Sequence, residues 1–171
     1  MSTLSKHLDE IDILLGLQAA SKREVFQAIG QHMQTAHGVS AESVASSLLR
    51  RELAGSTALG CGVAIPHARV NELERIRLLY LRVVPALAFD SPDGEPVSDI
   101  VALMVPAPAT QEHLDVLAHV ASLFSDKAFR KALHKCEEPG QVMDVIANWP
   151  HWEERSKEAI LLMPQGTRDH Q

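Results

Sequence analysis

The sequence predicts an α/β fold, a single domain in which helices flank a mixed β-sheet. Three observations predict it. Apolar residues recur at helical spacing from Val25 to Leu49, short apolar runs punctuated by Gly and Pro fill the stretch from Gly55 to Val105, and helical spacing returns from Leu114 onward. Helices, then strands, then helices imply layers, because each apolar face must be buried against another element. At 171 residues the chain can bury a substantial core as one domain.

Ile11 to Leu17 is a short apolar run that predicts a first strand. Ser21 and Glu24 have the spacing of a capping box, and Val25, Phe26, Ile29, Met33 and Ala36 share one face of the helix that follows. Gly38 stops that helix. Ser40 opens a second, with Val44, Ala45, Leu48 and Leu49 as its apolar stripe and an end near Glu52. Gly55-Ser56-Thr57, Gly60-Cys61-Gly62 and Pro66 then exclude a continuous helix. Val63 to Ile65 predicts a short strand, Arg75 to Val84 a longer one, and Ala86 to Phe89 another. Ser91-Pro92-Asp93-Gly94 is a turn. The unbroken apolar run Ile100 to Val105 predicts a central strand covered on both faces. Thr110 caps a helix with Leu114, Leu117, Ala121 and Phe124 inward, Asp126 caps the next with Phe129 and Leu133 inward, and Val142, Val145, Ile146 and Trp149 mark a last one. The expected organisation is a lead-in over 1–10, a domain over 11–149 and a tail over 150–171 whose weaker pattern suits a loose helix or disorder.

Composition excludes several function classes. The formal net charge is -6, and no basic stripe with interleaved aromatics is present, so no nucleic-acid partner is expected; Arg50-Arg51 is too short a run to matter. Cys61 and Cys136 form no CxxC pair, which argues for a reducing cytoplasm and against a disulfide framework. Met1 to Glu10 lacks the features of a signal peptide, and no apolar stretch is long enough for membrane insertion. Among the nine histidines, His32 and His37 are five apart and His113 and His119 six apart, neither being the helical four that puts two ligands on one face. There is no HExxH, P-loop or Rossmann turn, so neither a metal nor a nucleotide cofactor is expected.

The most informative stretch runs from Gly55 to Arg69. A histidine that carries phosphate must be neutral at cellular pH and held at a defined angle. Pro66 fixes its own φ and keeps Ile65 extended, so His67 emerges from a stiff strand end. Backbone N–H groups near Gly62 and the hydroxyls of Ser56 and Thr57 are candidate donors to phosphoryl oxygens, and Arg51 is a candidate fixed charge. His113 falls in the first turn of a helix, where anions are attracted and a neutral imidazole can donate to His67 or to its phosphate. Taken one by one, a loop histidine, two turns, a solvated arginine and an idle first-turn histidine account for the same letters. Cys61 stands near His67, but nothing else in the chain resembles a thiol-nucleophile site.

The order Arg51-Glu52-Leu53-Ala54-Gly55-Ser56-Thr57, then Gly60-Cys61-Gly62-Val63-Ala64-Ile65-Pro66-His67, resembles the signature of type 2 enzyme IIA domains of the bacterial phosphotransferase system, the fructose–mannitol–nitrogen class. The resemblance continues through Ala86-Leu87-Ala88-Phe89-Asp90, Pro96-Val97, Leu103 to Ala107 and His113-Leu114, and covers roughly Ile11 to Trp149. It implies that His67 is the phosphorylated residue, through Nε2, with His113 supporting it and Arg51 near the phosphate. It also implies an HPr-like phosphocarrier as donor and a mixed sheet with the site in a shallow depression. The chain resembles the nitrogen-related branch more than the sugar-transport branch, which implies a phosphocarrier and regulator rather than a stand-alone metabolic enzyme. The onward acceptor is then a regulated protein. The alternatives are an enzyme IIA passing phosphate to an enzyme IIB, or a binding module that no longer carries phosphate. Cys61, where relatives have a polar residue, and Ala68, where some have Gly, depart from the pattern.

Overall fold

Strands β1 (Asp12–Leu17), β2 (Ala58–Gly60), β3 (Val63–Ala64), β4 (His67–Arg69), β5 (Arg77–Leu87) and β6 (Val97–Val105) form one mixed sheet. Helices α1 (Lys22–His37) and α2 (Ala41–Leu53) lie between β1 and β2, and α3 (Gln111–Ser125), α4 (Lys127–His134) and α5 (Pro139–Asn148) follow β6. This computed structural model describes residues 7, 8 and 10–149. The expectations for the tail 150–171, and those for residues 1–6 and 9, lie outside the described residues.

The strand order is β1-β5-β6-β3-β2, with β4 also on β6. β1 is parallel to β5, β5 is antiparallel to β6, and β3 and β4 both run parallel to β6. β3 and β4 thus lie along one side of β6, β3 beside Asp99 and Ile100 and β4 beside Leu103 to Val105. Ile65 and Pro66 make the break between them. Proline has no N–H to give to a ladder, but its carbonyl accepts from Leu103 N–H at 2.9 Å and keeps the chain on β6. The site histidine is the first residue past that break.

β6 is covered on both faces, as its apolar run predicts. Val101, Leu103 and Val105 join Leu78 and Tyr80 of β5 beneath α3 to α5, while Ile100, Ala102 and Met104 join Leu79, Leu81 and Val83 beneath α1 and α2. The alternation is that of a strand, one residue to each face in turn. Leu8 packs into the first cluster and His7 Nε2 lies 2.9 Å from Glu112 Oε1, so the packed unit begins ahead of Ile11.

Four local readings are corrected by the structure. Arg75 to Val84 and Ala86 to Phe89 are not two strands: β5 continues through Pro85, which falls in an irregularity between the pairs Arg82–Asp99 and Leu87–Val97, where the ladder asks no N–H of it. β2 and β4, without an apolar pattern, were not expected. On α3 the buried face is His113, Val116, Val120, Leu123 and Phe124; Leu114 is 61% exposed, and Leu117 and Ala121 are at the margin. Finally, Ser21 caps α1 by accepting from Glu24 N–H at 3.2 Å, but Glu24 returns its carboxylate to Ala20 N–H, one residue ahead of the box position.

α1 and α2 approach closely at Gly30, where a Cβ would stand 2.3 Å from the Ala41 carbonyl oxygen. On the opposite face Asp99, 1% exposed, accepts from the buried Tyr80 Oη at 2.6 Å and lies 2.5 Å from Nε2 of the half-exposed His134. Burial and the Asp99 charge push the Tyr80 phenol well above its ordinary value, so it stays a proton donor.

Candidate functional site

His67 opens β4, half-buried, opposite Leu103 of β6. Its Nδ1 is 2.9 Å from the Ile65 carbonyl oxygen. A carbonyl can only accept, so Nδ1 carries the proton and Nε2 keeps its lone pair. The bond is local, two residues back along the chain, and the stiff Ile65-Pro66 segment sets it. Burial pushes the imidazole below its ordinary pKa and the Arg51 guanidinium adds to that; the Ile65 carbonyl and the Glu52 carboxylate pull the other way without overcoming it. The result is a neutral ring with a free, oriented nucleophilic nitrogen.

His67 lies in a cleft of about 440 Å³ whose walls include Arg50, Arg51 and Arg69, together with Leu103, His113, Leu114 and Leu117. Three arginines thus line the cleft that holds His67, in a chain whose net charge is negative, and the Arg51 charge acts on the imidazole directly. Arg51 sits in the last turn of α2, where a cation complements the helix dipole, and its Nη1 donates to the Gly55 carbonyl at 2.9 Å. That bond ties the guanidinium to the loop beside His67. His113 is buried in the first turn of α3. Its Nδ1 accepts from the Thr110 N–H at 3.3 Å, so Nε2 bears the proton and is a donor. The two histidines are therefore opposite tautomers, and both line the same cleft.

The remaining predicted residues are placed differently. A second depression of about 220 Å³ joins His67 and Arg51 to Ser56 and Thr57. The Ser56 hydroxyl, however, donates to the Phe89 carbonyl at 2.7 Å, and the buried Thr57 hydroxyl donates to Glu52 at 2.7 Å. Both expected hydroxyl donors are already committed, and they hold the loop rather than face an incoming anion. Glu52, 7% exposed, also accepts from the Thr57 N–H and from Lys22 Nζ at 2.8 Å. Burial alone lowers the Lys22 pKa, but hydrogen bonds to Glu52 and Asp90 outweigh it and raise it above the ordinary value, so the lysine stays charged against the buried carboxylate. Gly62 lines neither depression: with φ +77° it turns the chain from β2 into β3, and its carbonyl accepts from Ser98 and Asp99.

Sequence reasoning missed Arg50, Arg69 and Glu52. For Arg69 a signal was present, since residues i and i+2 of a strand share a face and Arg69 follows His67 by two.

Residues 6–149 match the family described as the phosphoenolpyruvate-dependent sugar phosphotransferase system, EIIA 2. The chain belongs to that family. The nitrogen regulatory protein of Bradyrhizobium diazoefficiens is 35% identical over 135 residues, 79% of this chain and 88% of that protein. The crystal structure of nitrogen regulatory protein IIA-Ntr from Neisseria meningitidis superposes with a TM-score of 0.75 at 35% identity, covering 85% of this chain and 99% of that one. Enzyme IIA of the mannitol system, solved with phosphorylated enzyme IIB from Escherichia coli, shares the fold with a TM-score of 0.67 at 17% identity, covering 86% of this chain and 96% of that one. Among the described residues, no helix of this enzyme IIA is long and apolar enough to cross a membrane.

The electrostatics make one prediction here. By NMR, His67 of this enzyme IIA is expected to titrate below about 6.5, the ordinary histidine value, and Arg51→Ala to move that midpoint upward. Because the folded value lies below the unfolded one, protonation favours the unfolded chain. Folded-state stability therefore declines as the pH falls from the ordinary value through the depressed one. An unchanged midpoint in Arg51→Ala removes the guanidinium from this account.

Proposed function

We propose that this enzyme IIA is a cytoplasmic phosphocarrier and regulator of the nitrogen class, accepting a phosphoryl group on His67 Nε2 from the phosphohistidine of an HPr-like carrier. One observation carries the reading: Nδ1 of His67 is committed to the Ile65 carbonyl while Nε2 opens into a cleft walled by Arg50, Arg51 and Arg69. In the transfer, the Nε2 lone pair attacks phosphorus and the donor's N–P bond breaks, its electron pair returning to the donor ring. His67 keeps its Nδ1 proton throughout and becomes a cationic phosphoimidazolium. The arginines and the Nε2–H of His113 offset charge on the equatorial oxygens.

One further feature supports a protein as the donor, and a second the regulatory branch. Leu114 at 61% and Leu59 at 44% exposure line the two depressions, giving apolar contacts beside a basic centre. The nitrogen regulatory relatives at 35% identity support the regulatory branch over sugar transport. Phosphorylation adds about two negative charges to that patch, enough to reverse a contact with a regulated partner.

The test is intact-mass analysis of the protein incubated with phosphoenolpyruvate, enzyme I and an HPr-type carrier. The expected result is a single acid-labile phosphoryl increment, with NMR placing the N–P bond on Nε2. No increment with any donor pair overturns the reading in favour of a binding module. Rapid discharge to an enzyme IIB moves the chain to the sugar-transport branch.

A further inference from the structure

We propose that Asp12, His32 and His37 form a binding site for a divalent cation of the zinc type, outside the phosphoryl cleft. Asp12 is the first residue of β1, the edge strand at the end of the sheet away from β4. His32 and His37 lie in the C-terminal part of α1. Their Nε2 atoms stand 3.0 and 2.6 Å from the same oxygen, Oδ2 of Asp12, and one ligand atom from each of the three residues lies within 4.8 Å of the others.

A four-residue spacing is required only of ligands on one helix face. Five residues separate them by about 140° around an α-helix, so they do not stack. They bracket instead: β1 brings Asp12 over α1 and the two imidazoles reach it from either side, their rings 6.5 Å apart and inclined at 71°. The third ligand comes from a different element, which no spacing on α1 reveals.

The donor set selects the ion. Two imidazole nitrogens and one carboxylate oxygen suit Zn²⁺ and its first-row neighbours, whereas Ca²⁺ and Mg²⁺ require oxygen. Ligand atoms about 2.0–2.1 Å from a tetrahedral ion stand roughly 3.3 Å from one another. The present nitrogen-to-oxygen distances reach that value with small side-chain shifts. The three side chains are 16–25% exposed, sheltered but reachable, and His37 also borders an open cleft beside Glu72 and Arg75 through which an ion and a completing water can enter. The negative end of the α1 dipole favours a cation at this end of the helix. Bound there, the ion staples the edge strand to α1 and stabilises the folded state by mass action.

The test uses tag-free, chelator-treated protein titrated with ZnCl₂ by calorimetry and followed by thermal unfolding. The expected result is one equivalent of zinc, a raised unfolding midpoint that a chelator reverses, and its loss in His32→Gln/His37→Gln and in Asp12→Asn. His67→Gln and His113→Gln are expected to keep the equivalent. Imidazole NMR of the unsubstituted protein provides a reading free of folding effects, with zinc moving the His32 and His37 ring signals and leaving those of His67. Absence of stoichiometric zinc, persistence of it in the double variant, or ring shifts confined to His67 and His113 each overturn the site.

Discussion

His67→Ala is expected to abolish phosphoryl uptake altogether while the protein stays folded. No other imidazole in the cleft can substitute. The Nδ1 lone pair of His113 is occupied by the Thr110 N–H, and its Nε2 carries a proton, so it can donate but not attack. The loss to the fold is small, because the His67 side chain is only half-buried and its hydrogen bond to the Ile65 carbonyl is a contact worth about 1 kcal/mol. His113→Gln separates the two roles. It keeps an N–H donor in the first turn of α3 but moves it, and is expected to slow uptake by about 10²–10³-fold, the usual cost of one misplaced transition-state donor, without changing the final mass increment. Time-resolved intact-mass measurement distinguishes them. An increment on His67→Ala would falsify the assignment of the nucleophile.

The second large effect is on stability. In an isolated helix Gly→Ala stabilises by about 1 kcal/mol. At Gly30 the sign is expected to reverse, because the added Cβ meets three backbone atoms of Ala41, the carbonyl oxygen at 2.3 Å, and none of them is the end of a flexible side chain. α1 and α2 must move apart, which opens the cluster of Phe26, Ile29, Met33, Val44 and Leu48 beneath them. Overpacking against backbone of this kind costs about 3 kcal/mol, and for a chain of this size each kcal/mol lowers Tm by about 2–4 °C. Gly140→Ala, on α5 with nothing within 4 Å of the new methyl, is the control and is expected to be neutral or stabilising. Denaturant unfolding of both variants checks the pair; equal behaviour would show that α1 and α2 have room to separate.

How much of this was legible in the sequence follows from how local each signal is. Helix periodicity, the caps Ser21, Ser40 and Asp126, and the doubly covered β6 depend on neighbours in the chain and were readable. Arg51, His67 and His113 were singled out because a motif carries them in order, and the structure places all three in the lining of one cleft. What was not legible depends on distant partners. Ser56 offers a hydroxyl in the sequence, but only the fold brings the Phe89 carbonyl, 33 residues on, to take it. Thr57 and Glu52 are five residues apart and look like a loop polar residue and a helix surface charge; burial turns them into one hydrogen-bonded unit. The inward face of α3 was misread because Leu114 and Leu117 line the cleft, while His113, Val116, Val120 and Leu123 fill the core beside Phe124. β2 and β4 are three residues each, too short for any period to show.

The acceptor chosen for the His67 Nδ1 proton decides how readily the group leaves again. Once Nε2 is phosphorylated the ring is a cation, and a carboxylate in the position of the Ile65 oxygen would stabilise it strongly, deepening the phosphorylated state. An uncharged peptide oxygen aligns the ring equally well but gives that cation far less support, and the nearby Arg51 opposes it. In the proposed transfer, the N–P bond would then retain a higher transfer potential than it would beside a carboxylate. On the proposed function, occupancy of the phosphorylated form would follow the ratio of charged to uncharged donor, and the protein would work as a reversible gauge of that ratio rather than as a latch.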